Sequence, residues 1–465
     1  MRLAWFSPMP PVATGIARCS ADLLAVLRND HEIDVFVDEA NITRAPALNL
    51  RPRTSDPRLV HPAPRSAHDF IWQHRKHPYD VIVYQLGNSS HHDYQWPYLF
   101  RYPGLVVLHD AHLHHARASC LLRTKRTDDY RAELRANHPE ANPSLAELAI
   151  AGYDNHLHYF SPMTKLVVER ARLTAVHSPV IAERLRRESP NAVVESIRLG
   201  HGTAVSDEEA ATVGSAIRAR HGIPAEALVF GCYGSLTPDK RIPQILGAFA
   251  ATRAYVPSAH LLLAGALVEH YDLRADVDRL ALQPCTTITG YLDSDDDLTA
   301  AIAACDVALN LRWPTAREVS GPWLRCLAAG RPTITVDALH LIDVPSLDPR
   351  TWLATADTPC TVAIDIVDED HSLRLAMHRL AADADLRTQL GRAGRAYWEA
   401  EHTIDRMVAD YERVLAHAAA TSAPRAERPT HFTPDPAAHA TRLAGTIDPG
   451  LATGLHVQSG DVKER

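Results

Sequence analysis

The chain has no Cys-x-x-Cys pair, no excess of positive charge, no Gly-x-Gly-x-x-Gly fingerprint and no long apolar run. Each absence removes a class of protein. Its seven cysteines (Cys19, Cys120, Cys232, Cys285, Cys305, Cys326 and Cys360) are odd in number and scattered, which fits reduced thiols in a cytosolic protein better than a disulfide framework or a zinc site. A formal charge of −8 argues against a broad nucleic-acid-binding face, though a local basic pocket remains compatible with it. No segment reaches the roughly 20 apolar residues that a membrane helix needs, and the apolar run that starts at Leu3 is too short for a signal peptide. The missing glycine fingerprint leaves a dinucleotide site poorly supported. The chain is therefore expected to be cytoplasmic, without a transmembrane segment.

What is present is an ordinary globular composition, 46% hydrophobic and 22% charged over 465 residues, enough for two or three domains. Short apolar runs alternate with helical patterns, the signature of parallel α/β architecture. Leu3–Phe6, Glu32–Val37, Val81–Leu86, Leu105–Leu108, Leu173–Val176 and Val193–Leu199 read as strands. The pattern restarts with Leu228–Tyr233, His260–Ala264, Thr286–Ile288, Val307–Leu311 and Pro332–Val336. This predicts two Rossmann-like domains, 1–203 and 204–400, joined through a polar linker near 203–220. Helical pattern runs from Ala381 to Ala418, and its last part, Ile404–Leu415, is amphipathic. The remainder, 421–465, is rich in Pro, Thr, Ala, Gly and His and is expected to be disordered.

Three loops follow strands, at the sheet edge where open α/β folds bind ligands. Ser7–Ile16 ends in Gly15 just before a helix; it reads either as an ordinary turn or as a place where an anion meets backbone N–H groups. Gly231–Arg241 carries Gly234, Ser235, Lys240 and Arg241. Two cations at a helix start oppose its dipole, which favours an anionic ligand such as a diphosphate. Asn310–Arg325 carries Glu318, able to accept hydrogen bonds from hydroxyls, followed by the cap Ser320 and by Gly321. His109 ends a strand at the same edge, within the histidine-dense run His109-Asp110-Ala111-His112-Leu113-His114-His115. That density suggests metal, but the run lacks well-spaced partners, and no metal site is expected. The acidic run Asp293–Asp297 also looks metal-binding, yet acids in a first helical turn are explained by capping and the dipole.

Taken together these segments resemble family 4 glycosyltransferases of the GT-B fold, from residue 1 to about residue 418. Pro10-Pro11 through Gly15 is similar to that family's phosphate- and acceptor-side loop, Gly234–Lys240 to its Gly-x-Leu-x-x-x-Lys donor loop, and Thr289-Gly290-Tyr291-Leu292 to the turn beside the nucleotide base. Glu318–Pro332 resembles its acidic donor motif, and Ile404–Leu415, within 401–418, the helix that returns to the first domain. Ser235 stands where the family often has arginine, and Arg325 where it commonly has a second glutamate. The resemblance implies two domains facing across a cleft and a sugar transferred with retention, without metal or cofactor. The nucleotide-diphosphate sugar would be the substrate. His109, Lys240 and Glu318 would act on it, and Gly15, Gly234, Ser235, Arg241, Tyr291, Leu292, Ser320 and Gly321 would help to hold it. The acceptor is open: a glycan, a small molecule, a membrane lipid or a polysaccharide precursor. A lipid would bring the protein to the inner face of the membrane. A non-catalytic nucleotide-sugar-binding protein on the same fold is the main alternative, and a nucleotide-sugar epimerase a lesser one.

Overall fold

The computed structural model describes residues 1–12, 14–42, 63–153, 157–292, 294–315, 319–336, 344–426 and 428–432. It holds two seven-stranded sheets. The first is built from β1 (Arg2–Phe6), β2 (Glu32–Val37), β3 (Arg65–Ser66), β4 (Val81–Leu86), β5 (Leu105–Leu108), β6 (Leu173–Val176) and β7 (Val194–Ser196), in the order β3-β2-β1-β4-β5-β6-β7. The second contains β8 (Val229–Tyr233), β9 (His260–Ala264), β10 (Thr286–Gly290), β11 (Val307–Asn310), β12 (Thr333–Val336), β13 (Ser346–Leu347) and β14 (Thr361–Ile364), in the order β10-β9-β8-β11-β12-β14-β13. Neighbours pair in parallel, as in β1 with β4 and β8 with β11. Such strands are covered on both faces, so they read as continuous apolar runs; β4, Val-Ile-Val-Tyr-Gln-Leu, is buried throughout.

This order fixes where a ligand can sit. In the first sheet the chain moves outward from β1 to β3, then returns to lay β4 on the other side of β1. The second sheet repeats the reversal at β8 and β11. Loops after β1, β8 and β11 therefore flank the crevices at the two reversal points, where doubly wound sheets bind ligands.

Helix signals place the elements around these strands. Ser178 accepts a hydrogen bond from Ile181 N and Pro179 takes the first helical position of Pro179–Glu188, the expected cap-plus-proline start. The stretch read as a linker near 203–220 is instead mostly the helix Asp207–Arg220. Ser206 caps it, Asp207, Glu208 and Glu209 occupy its first turn, and Arg218 and Arg220 its last, all of which complement the helix dipole. The chain crosses between the two units at Leu199–His201 and again at His402. The crossings bind each other: His201 N donates to His402 O at 3.2 Å, and His402 Nδ1 lies 3.0 Å from Leu199 O. Beyond the second crossing, helix Ile404–Ala420 lies against the first sheet, with Tyr411 stacked on Trp5 at 5.8 Å. One hydrophobic cluster contains Leu3, Trp5 and Val83 together with Trp323, Leu324 and Trp398, so the two units share a core.

The disordered-tail expectation does not hold for the described residues that follow that helix. Arg170 donates to Pro424 O at 2.9 Å, Arg428 to Phe100 O at 2.5 Å, and Phe432 stacks on Phe100 with ring centres 4.0 Å apart. An aromatic ring and two guanidinium contacts anchor a segment whose composition alone suggested none. Residues 433–465 lie outside the described part. Of the seven free cysteines, Cys19, Cys232, Cys285, Cys305, Cys326 and Cys360 are buried and Cys120 is half-buried. Among the described residues no helix is long and apolar enough to cross a membrane.

Candidate functional site

The loop after β8 is shaped by two close approaches. Gly234 has φ +89°, a left-handed value that favours glycine, and a methyl group there would lie 2.8 Å from Lys240 Nζ. Gly265 packs so tightly that a methyl would fall 1.9 Å from Gly234 O. Lys240, the last residue of the short helix Pro238–Lys240, folds its ammonium back over this turn and donates to Tyr233 O. Burial, outweighing the nearby Cys232, draws its pKa below the ordinary lysine value. Ser235 is exposed beside it. Pro322, in the first turn of helix Gly321–Ala328, adjoins Gly234. The start of that helix and Lys240 thus converge on one turn.

Ser320 caps this helix, accepting from Trp323 N at 3.4 Å. Pro322 has no N–H, so Gly321 is the first-turn residue whose amide is left for an anion. Gly321 lies against the imidazole of His201. Glu318 lies outside the described residues. Gly15, the first residue of helix Gly15–Leu27, is exposed, with open space where a side chain would be, while Thr14 caps that helix by accepting from Ala17 N. Tyr291 is 51% exposed after β10, and Leu292 packs on the cluster containing Ala301 and Ile302.

Two of the expected ligand residues have protein partners. Arg241, expected to share the anion with Lys240, adopts a left-handed φ of +59° and directs its guanidinium to Glu369, Nε to Oε1 at 2.7 Å. A half-buried ion pair takes up the charge that the sequence left apparently free. His109 does stand at the sheet edge after β5, but both ring nitrogens face protein: Nε2 is 2.6 Å from Gln85 Oε1 and Nδ1 is 3.2 Å from His177 Nε2. Gln85 in turn meets the Tyr411 hydroxyl from the last helix at 3.2 Å. Burial, then His177 and His92, push the His109 pKa far below the usual imidazole value, so the ring is neutral. His109 is the middle of a chain from Gln85 to His177 and is itself half-buried, whereas His177, which the sequence reading passed over, is buried. Its signal was available: like His109, it directly follows a strand.

A second group drawn together by the fold links the two units. Asp295 Oδ1 accepts from Arg18 Nη1 at 2.5 Å and faces Arg325 Nη2 at 2.8 Å; Arg325 Nε donates to His201 Nε2 at 2.9 Å. Burial, with Arg325 and Arg18 nearby, lowers the His201 pKa to about 3, so it accepts as a neutral ring. The acidic run is a helix start, as read, since Ser294 accepts from Asp297 N at 3.0 Å. Asp295 nevertheless does more than cap: it is the carboxylate between guanidiniums of both units.

In the histidine-dense run, His114 is fixed between Ser161 O and the Tyr130 hydroxyl, each at 2.7 Å. Chiefly because of burial its pKa falls to about 3, which marks a packed, neutral residue. Among the described residues no three His, Cys, Asp or Glu side chains are grouped to hold a metal ion.

No protein-family model matches the chain, and no curated protein matches its sequence. Solved structures do match its shape. Sucrose-phosphate synthase from Thermosynechococcus elongatus superposes with a TM-score of 0.62 at 16% identity, over 91% of this chain and 100% of that one. Anabaena HepE, solved with UDP and glucose, gives 0.59 at 15% identity, over 90% and 99%. WaaG, a glycosyltransferase involved in lipopolysaccharide biosynthesis, gives 0.55 at 13% identity, over 89% and 99%. The two parallel sheets, their strand order and these full-length superpositions identify the architecture as the GT-B fold.

Proposed function

We propose that the protein is a glycosyltransferase that takes a sugar from a nucleotide-diphosphate sugar and passes it, with retention and without metal, to an acceptor hydroxyl. The observation that carries this reading is the meeting of Lys240, the Gly234 turn and the start of helix Gly321–Ala328 at the β8–β11 reversal point. A departing diphosphate needs a cation, close backbone approach and amide donors, and this corner supplies all three. Lys240 would neutralise charge growing on the leaving group, and Glu318 would hold sugar hydroxyls. Gly15 and the adjoining helix start would face the ligand from the first unit. His109, held between Gln85 and His177, would meet the sugar from the first unit. UDP and UDP-glucose are the natural first ligands to test, because the HepE structures that share the fold contain them.

A ligand that binds only the folded state at 100 times its Kd stabilises it by about 2.7 kcal/mol. UDP or UDP-glucose is therefore expected to raise the melting temperature by several degrees, at about 2–4 °C per kcal/mol for a unit of this size. An unchanged melting curve across a panel of nucleoside diphosphates and their sugars would remove the donor site from this corner. One feature favours a second reading, a protein that binds the donor without turning it over: Arg325, where the family resemblance leads one to expect a carboxylate, is engaged by Asp295 and His201. Release of UDP from UDP-sugars, with and without candidate acceptors, separates the two.

A further inference from the structure

With Arg241 turned away to Glu369, the diphosphate corner holds one cation fewer than its sequence suggests. A diphosphate carries more charge than one lysine neutralises. The fold brings a different arginine to the same edge. β8 and β11 pair in parallel, with Ala308 opposite Gly231. An equal step along both chains, past the strand ends, leads to Ser235 on one side and Arg312 on the other, both exposed. Arg312, given no role above, thus stands at the β8–β11 reversal point, level with the Gly234 turn.

Two contacts tie this arginine to Lys240. Trp313 N donates to Asp239 O at 2.7 Å, which fastens the loop after β11 to the short helix that ends in Lys240. Arg312 Nε lies 3.5 Å from Asp239 Oδ2, and nearly half of its side chain is open to solvent. That separation exceeds a normal N–H···O hydrogen bond, and a pair so exposed contributes little to stability. The charges also sense each other. Burial is the main cause of the lowered Lys240 pKa; Cys232 acts against it, and the Arg312 guanidinium adds to it. Two cations held within reach of each other at a crevice repel, and an anion between them relieves that repulsion. A phosphate oxygen offers the guanidinium direct, charge-assisted hydrogen bonds, which Asp239 does not supply at 3.5 Å.

We propose that Arg312 is the second cation of the donor site: it grips the diphosphate opposite Lys240, exchanging Asp239 for phosphate oxygens when the nucleotide binds. The assignment rests on the donor corner proposed above. It divides the work between two residues. Lys240, buried beneath the Gly234 turn, meets the ligand from the β8 side, and Arg312, exposed at the rim, meets it from the β11 side. A ligand with two phosphates engages both cations, so Arg312 sets the preference for nucleoside diphosphates over monophosphates.

The test is calorimetric titration of the full chain with UDP, GDP and ADP and with the matching monophosphates. The parent is expected to bind at least one diphosphate more tightly than its monophosphate. Arg312→Ala is expected to weaken that diphosphate by about tenfold or more, the usual loss of a hydrogen bond to a charged group, and the monophosphate by no more than about twofold. Circular dichroism establishes that the variants are folded. Arg312 could instead serve only to screen Asp239, and Asp239→Asn/Arg312→Ala separates the two roles. On the proposal the double variant still binds the diphosphate about tenfold more weakly than the parent; a return to parental affinity would leave Arg312 a mere screen and overturn it. Equal losses for diphosphate and monophosphate, the mark of a general charge effect, would overturn it too. A parent that binds none of these nucleotides removes the donor corner and Arg312 together. A parent that binds them, with Arg312→Ala binding equally well, removes Arg312 and leaves the corner standing.

Discussion

Replacing Lys240 with alanine is expected to cut sugar transfer by about 10²–10³-fold, the usual loss when one preorganised donor to a developing charge is removed, while the protein stays folded. The two effects separate because of where the ammonium sits. It is held over the Gly234 turn by Tyr233 O, and burial draws its pKa down. A lysine whose folded value lies below its unfolded one costs stability while pH is below both values, and that cost disappears above the unfolded value. Lys240→Met should therefore melt no lower than the parent at neutral pH, while losing transfer as fully as the alanine variant. Lys240→Arg tests shape: a methyl at Gly234 would already lie 2.8 Å from Nζ, so a planar guanidinium does not fit the same place. In the parent, transfer should fall on the alkaline side earlier than an ordinary lysine would dictate, since rising pH removes the charge. Steady-state kinetics from neutral to alkaline pH, with melting curves alongside, check all of this. Transfer at the parental rate by the alanine variant would take Lys240 out of the mechanism.

The largest loss of stability is expected from Arg117→Leu. Arg117 and Glu133 are 3% and 0% exposed and form a two-pronged pair, Nε to Oε2 at 2.9 Å and Nη2 to Oε1 at 2.6 Å. The guanidinium lies 4.1 Å over the Trp96 ring, and His431 reaches Glu133 Oε1 at 2.9 Å from the far end of the chain. Removing the arginine strands a carboxylate with no access to water, at a cost of about 3–5 kcal/mol. Burial alone pushes the Glu133 pKa up, but Arg117 and His431 outweigh it and the net shift is downward. A depressed carboxylate contributes stability that is complete above its unfolded value and is lost as pH falls through its folded value. In Arg117→Leu the balance tips to burial, Glu133 takes up a proton more readily, and the deficit against the parent should shrink in acid. Urea midpoints for the parent, Arg117→Leu and Arg117→Leu/Glu133→Leu, at neutral and acid pH, test this. The double variant should regain much of the loss; a single variant as stable as the parent at neutral pH would show the pair to be dispensable.

Much of this architecture is legible in the chain because parallel strands covered on both faces leave near-continuous apolar runs, as in Val81–Leu86 and His260–Ala264. The elements that escape are short. β3 and β13 have two residues each, and β14, Thr361–Ile364, is a run of only four, too short to stand out as a strand. The Gly234 turn and the Ser320 cap are local chemistry and can be read locally. Pairings across the chain cannot: Arg241 finds Glu369 128 positions on, and Arg18 finds Asp295 277 positions on. A cation next to a glycine turn looks equally free whether or not a distant carboxylate claims it. For the same reason the sequence does not reveal that His109 is held by Gln85 and His177, which lie 24 and 68 positions away.

The distribution of thiols has a use of its own. Burial pushes the thiols of Cys19 and Cys360 up to about 12 and that of Cys305 to about 11, so in the native protein they are protonated as well as shielded, and inert to alkylation. Cys120 is the thiol nearest to solvent, and Cys19 lies in the cluster shared by both units, whereas Cys232 and Cys285 sit inside the second. An alkylating reagent followed by peptide mass mapping would thus keep separate time for the parting of the two halves and for the unravelling of the second, with no label engineered into the chain.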